Sequence, residues 1–202
     1  MVDAQTDPAA PVGAAVDDEA KRIANFGVGG AGDFPAGDPG LDLPEAFAVA
    51  TVAFSIATAQ AFLDACETSH PRVTYGLGKK ILPGQTPGRD FTQVDCSGFV
   101  REIMRRATNL GSSFPDGSVI QHQWVDKKGF ARATVADGKA RDGAVRIAFL
   151  SPNATASGIG HVALIVDGAT LESHGGVGPD SRPWSGAGWQ ASTALYLLAP
   201  GG

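Results

Sequence analysis

His161-Val162-Ala163-Leu164-Ile165-Val166-Asp167-Gly168-Ala169-Thr170-Leu171-Glu172-Ser173-His174 reads as two apolar strands, His161 to Val166 and Ala169 to His174, separated by Asp-Gly. That dipeptide between strands is a strong signal for a two-residue type I′ hairpin. The turn then sets the register: Val166 opposite Ala169, Ile165 opposite Thr170, Leu164 opposite Leu171, and so on to His161 opposite His174. Directly opposed residues have Cβ atoms about 4.5–5.5 Å apart, which suits one imidazole hydrogen-bonding the other. Working outward, Ala144 to Leu150 is a further apolar strand stopped by Pro152, and Ala194 to Ala199 is a last one. Upstream, an alanine-rich helix is expected from Pro44 to about Glu67. A second is expected to start near Asp95, a good N-cap, with Phe99, Val100, Ile103, Met104 and Ala107 at helical spacing and Gly111 beyond its end. Residues 112–141 give no clear pattern. Helices first and antiparallel strands after them imply an α+β fold.

The rest of the composition narrows the function. The chain has 202 residues, of which 43% are hydrophobic and 18% charged, enough apolar material for a core. Residues 1–45 hold nine acids against Lys21 and Arg22, a charge of −7, and the remainder carries 12 acids and 14 bases, or +2. Such a body has no basic stripe for a phosphate backbone, so nucleic acid is not an expected partner. Residues 1–42, rich in Ala, Gly, Pro and Asp, are expected to be a flexible acidic arm before a folded domain over 43–202. The uncharged stretch Ala46 to Leu63 is interrupted by Thr51, Ser55, Thr58 and Gln60, so no membrane contact is expected. The N-terminus lacks the basic and apolar regions of a secretory signal.

Cys66 and Cys96 allow at most one disulfide and no Cys-only metal site. They sit in different settings. Cys66 falls inside the alanine-rich helix, where a free thiol behaves as a small hydrophobe. Cys96 follows the cap of the second helix, where unpaired N–H groups and the helix dipole favour a thiolate. A cysteine nucleophile needs a base within reach and a third group to orient that base, and the hairpin supplies His161 and His174. A zinc site from Cys96, His161 and His174 is the weaker alternative by ligand type. His70 and His122 have no partner in the sequence and receive no role.

Asp95-Cys96-Ser97-Gly98-Phe99-Val100 resembles the nucleophile motif of the NlpC family of cell-wall peptidases, which are papain-like cysteine hydrolases. Tyr75-Gly76 upstream, Gly160-His161-Val162-Ala163-Leu164-Ile165 and Leu171-Glu172-Ser173-His174 follow the family's landmarks in order. The resemblance covers about Thr74 to His174. It implies a papain-like fold in which N-terminal helices, with the nucleophile at a helix start, pack on an antiparallel sheet. It also implies Cys96 as nucleophile, His161 as general base and then acid, and His174 as the orienting residue, with Tyr75 at the substrate or oxyanion and Asp95 and Ser97 lining the site for a peptidoglycan peptide stem. The loop from Leu77 to Gln93, with Lys79, Lys80 and Arg89, departs from the family's usual glycine-rich form.

The activity implied is hydrolysis of an amide in that stem, between D-glutamate and the following diamino acid, through a thioester and without metal or cofactor. An acyl transferase or amidase using the same residues is the alternative among enzymes. A non-catalytic phage-tail or secretion-system module is the alternative outside them. A wall substrate without an export signal implies delivery by a phage particle, an injection system or a neighbouring targeting domain, and an inhibitor protein is a further expected partner.

Overall fold

The computed structural model describes residues 50–201. The acidic arm expected over 1–42, the first residues of the expected domain and the expected helix start at Pro44 lie outside the described residues. Helix α1 runs Ile56–Thr68 and is capped by Ser55, whose Oγ accepts from the Thr58 N–H. It begins later than the alanine-rich pattern suggests because the residues before it are held elsewhere. Val52 N–H bonds the Leu198 carbonyl, and Phe54 bridges to Thr108. Ala59, Phe62, Leu63 and Cys66 form its buried stripe.

Helix α2, Cys96–Ala107, starts behind the predicted cap: the Asp95 carboxylate accepts the Gly98 N–H at 2.7 Å. Phe99, Val100, Ile103, Met104 and Ala107 are buried, and Phe99 stacks on Phe62 of α1 with ring centroids 5.7 Å apart. The stretch that gave no clear pattern holds helix α3, Ser118–Lys127, and a short strand, Arg132–Ala133.

Two short strands, β1 (Thr74–Tyr75) and β2 (Gln93–Val94), pair in parallel just before Cys96. The remaining strands are β3 (Arg132–Ala133), β4 (Val145–Leu150), β5 (His161–Val166), β6 (Ala169–His174), β7 (Gly178–Asp180) and β8 (Thr193–Ala199). They form one antiparallel sheet in the order β3-β8-β4-β5-β6-β7. Among the described residues this is a mixed fold of three α-helices and a six-stranded antiparallel sheet, as the order of elements implied. One face, with Ile147, Phe149, Val162, Leu164 and Leu171, joins the helices in the main core. The other carries Ala148, Ile165 and Leu195 beneath Trp184, with Trp189 packed against them. Among the described residues no helix is long and apolar enough to cross a membrane.

The hairpin turn has both φ angles positive, 48° at Asp167 and 77° at Gly168, as type I′ requires. The ladder between β5 and β6 matches the expected register at Val166↔Ala169, Ile165↔Thr170 and Leu164↔Leu171. Beyond that, the expected His161↔His174 pair is not formed. His161 is paired with Leu150 of β4, and His174 with Gly178 of β7. The cause is the second turn: after Val177 the chain runs back along the outer edge of β6, and Ser173 Oγ donates to the Val94 carbonyl at 2.8 Å, drawing this end of β6 toward the start of α2.

Gly178 makes that return. Its φ is +113°, and a Cβ there would lie 2.7 Å from Thr74 Cα, against backbone that cannot swing aside. Gly178→Ala should therefore lower stability by about 2 kcal/mol or more in urea unfolding. Gly175→Ala, where a Cβ meets nothing within 4 Å, should stay within about 0.5 kcal/mol of the parent.

Candidate active site

Cys96 occupies the first position of α2, where its own N–H has no acceptor inside the helix. Its side chain is buried and close enough to His161, at the start of β5, to raise the imidazole's pKa. The other side of the imidazole is held differently from the expectation. His161 Nε2 donates to Glu172 Oε2 at 2.6 Å, which leaves Nδ1 as the nitrogen for the sulfur. His174 turns its Nε2 to Asp180 Oδ2 and its Nδ1 to the Gly175 carbonyl, both at 3.2 Å. The contact expected between the two histidines is thus replaced by one from His161 to Glu172, with the β6 end tied by Ser173 to Val94 and His174 engaged by Asp180.

Glu172 is completely buried, and its carboxylate collects four donors. Thr170 Oγ1 (2.7 Å) and Arg182 Nε (2.9 Å) reach Oε1, while His161 Nε2 and Arg182 Nη2 (2.8 Å) reach Oε2. Burial alone would raise its pKa, but the hydrogen bonds from His161, Arg182 and Thr170 outweigh it and hold the group at about 2. Burial pulls His161 down, yet the hydrogen bonds to Cys96 and Glu172 prevail and push it up to about 9. At neutral pH the site therefore pairs an imidazolium with a carboxylate beside the Cys96 sulfur. The buried Cys66 contrasts with this: desolvation pushes its thiol up to about 12.

Tyr75 ends β1 half-buried, in register with Val94 and so close to the turn that delivers Cys96. Asp95 and Ser97, expected to line the site, are buried and engaged by the chain itself. Lys80 Nζ lies 2.8 Å from Asp95 Oδ1 and 2.6 Å from Ser97 Oγ, and continues to Asp116 at 3.0 Å. The Gly78 N–H adds a bond to Asp95 Oδ2, and Gln121 Nε2 of α3 holds the Ser97 carbonyl at 2.9 Å. These residues fix the turn that carries Cys96. Lys80 comes from the loop that departs from the family pattern.

A cleft of about 270 Å³ opens beside His161, lined by Leu150, His174, Gly175, Arg182 and Trp189. A larger hollow of about 590 Å³ lies between α1 and the 84–87 turn. Its one charged lining residue is Arg106, whereas the smaller cleft is lined by His161, His174 and Arg182. Among the described residues no group of three or more His, Cys, Asp or Glu side chains is placed to hold a metal ion, so the zinc arrangement of Cys96, His161 and His174 is not formed. His122 belongs to a separate cluster, with its Nε2 2.9 Å from the Tyr196 hydroxyl, which donates to Asp126.

Two of the contacting groups were not singled out from the sequence. Strand alternation puts Glu172 on the same face as His174, and a glutamate in a strand of the buried sheet demands a partner. Arg182 lies in a polar loop with no periodicity to place it.

The titrations fix the sign of a pH effect. Glu172, held below its ordinary 4.5, contributes stability that is present above pH 4.5 and lost as pH falls through about 2. His161, held above its ordinary 6.5, contributes stability that is present below pH 6.5 and lost as pH rises through about 9. Stability from this pair should peak between pH 4.5 and 6.5. The decline between 6.5 and 9 should be shallower in Glu172→Gln, as read by urea unfolding across pH. Asp95→Ala should cost at least about 2 kcal/mol, the upper range for a helix cap, because it also frees the buried Ser97 hydroxyl and the Lys80 ammonium. Asp95→Asn, which can still accept from Gly98, should cost less.

Compared with known proteins, no family model matches the chain, and no curated protein matches it.

Proposed function

We propose that the chain is a cysteine hydrolase of papain-like design that cleaves an amide in the peptide stem of peptidoglycan. The observation that carries this reading is the chain of contacts from Cys96 at a helix start, through His161, to the buried Glu172 carboxylate. In the first step the Cys96 sulfur, its proton passed to His161, attacks the amide carbon and the carbonyl oxygen takes up negative charge near the Cys96 N–H, with Tyr75 as a second donor. Protonated His161 gives its proton to the leaving nitrogen as the C–N bond breaks, leaving a thioester and a free amine. Neutral His161 then takes a proton from water, the hydroxide oxygen bonds the acyl carbon, and the C–S bond breaks to release the acid and restore the Cys96 thiolate beside protonated His161. Glu172 keeps the ring aimed and stabilises its charged form throughout. It takes the orienting role that the resemblance gave to His174.

A wall peptide is preferred over other amides because of the resemblance carried by Asp95-Cys96-Ser97-Gly98, Gly160-His161 and Leu171-Glu172-Ser173-His174. The bond between D-glutamate and the diamino acid is the proposed target.

Purified peptidoglycan fragments incubated with the protein should yield shortened stems by mass spectrometry. Cys96→Ala should yield none, and Cys66→Ala should retain activity. Glu172→Gln should lose about tenfold or more in rate, and His174→Ala less than that. Equal turnover by Cys96→Ala and Cys66→Ala would overturn the nucleophile assignment.

A further inference from the structure

The segment after β7 runs back beside the first half of β6. Thr170 N–H bonds the Arg182 carbonyl at 2.8 Å, Arg182 N–H bonds Thr170 Oγ1 at 3.0 Å, and Trp184 N–H bonds the Gly168 carbonyl at 2.7 Å. Backbone pairing on both sides of Arg182 thus fixes where its side chain begins. The guanidinium then meets Glu172 as a fork, with Nε on one oxygen and Nη2 on the other. Its carbon lies 5.6 Å from the centre of the Trp189 ring, and Trp189 in turn meets His161 edge-on at 5.0 Å and Trp184 at 5.8 Å. Arg182, Trp189 and His161 line the same cleft.

Glu172 is buried, so any cation beside it would offset part of the cost of keeping its charge out of water, and neutralisation alone does not explain a two-pronged contact. The fork also acts on direction. A glutamate side chain has three rotatable bonds, and one bond to His161 would not fix it. Two parallel bonds from a planar fork do. We propose that Arg182 is a positioning residue for the thiol–imidazole pair, locking Glu172 in the orientation that aims the His161 ring at Cys96. The inference rests on the cysteine–histidine reading above and extends it to the loop whose role the sequence leaves open. The charged and titratable groups around the pair are Cys96 from α2, Glu172 and His174 from β6, Asp180 from β7 and Arg182 itself. Arg182 is the one cation among them that contacts Glu172 from outside the pair.

A readout independent of any substrate tests this: the rate at which iodoacetamide alkylates Cys96 in the full chain at about pH 6, followed by mass spectrometry. At that pH an ordinary thiol is almost wholly protonated, and rapid alkylation requires the imidazolium beside the sulfur. Arg182→Met should slow Cys96 alkylation about tenfold, and Arg182→Lys, which keeps the charge but loses the fork, should restore only part of the rate. Glu172→Gln should slow it similarly, and the double variant Arg182→Met/Glu172→Gln should be no slower than Glu172→Gln alone, because Arg182 acts through Glu172. Thermal melts check that each variant is folded, and if Arg182→Met is not, Arg182→Lys against Glu172→Gln decides. An unchanged rate in folded Arg182→Met or Arg182→Lys, or losses that multiply in the double variant, would overturn the positioning role. A parent protein whose Cys96 reacts no faster than N-acetylcysteine would instead overturn the cysteine–histidine reading itself, and the inference with it.

Discussion

A carboxylate without solvent exposure has to be surrounded by donors, and much of the sheet edge in this protein is arranged around that requirement at Glu172. Leaving such a charge unpaired in the interior costs many kcal/mol, far more than any single turn or cap contributes. Four donors meet it, from His161, Thr170 and twice from Arg182. Each donor traces to a backbone feature. The type I′ turn sets β5 beside β6 so that His161 can reach across diagonally, strand alternation brings Thr170 to the same face, and the return of the chain along β6 supplies Arg182.

Cys96 is held by a second polar system that is separate in its contacts. Asp95 caps α2, Lys80 bridges Asp95 to Ser97 and Asp116, and Gln121 fastens α3 to the same turn. The two systems meet where the Ser173 hydroxyl bonds the Val94 carbonyl, two residues before Cys96. That bond explains how a helix from one layer and a strand from another keep a thiol and an imidazole in hydrogen-bond contact. Cys66, the other thiol, shares the core but none of this polar scaffolding.

Local signals in the sequence were enough to place α2, its cap, β4, β5, β6, β8 and the hairpin turn, because each is decided within a few residues. The start of α1 was not legible, since Val52 and Phe54 are claimed by Leu198 and Thr108, far away in the chain. Within the candidate site, Cys96 and His161 could be read because their positions follow from a cap and a turn. The partner of His161 could not be read from the turn alone. Register by direct opposition pointed to His174, whereas the longer Glu172, two residues earlier on the same face, reaches the ring once β6 pairs outward with β7. Lys80 and Arg182 lie in loops whose partners become apparent only when the chain is folded.

The charged half of the site is contiguous in sequence: His161, Thr170, Glu172 and Arg182 all belong to one hairpin and the loop that follows it. Its internal pairings are short-range, so this half can assemble with little loop-closure entropy. Cys96 arrives from an element much earlier in the chain, across a long-range contact. His161 is thus organised by local folding while the Cys96 thiol reaches it only when the helical layer docks on the sheet, and a reactive cysteine would signal in one chemical event that the two layers have joined.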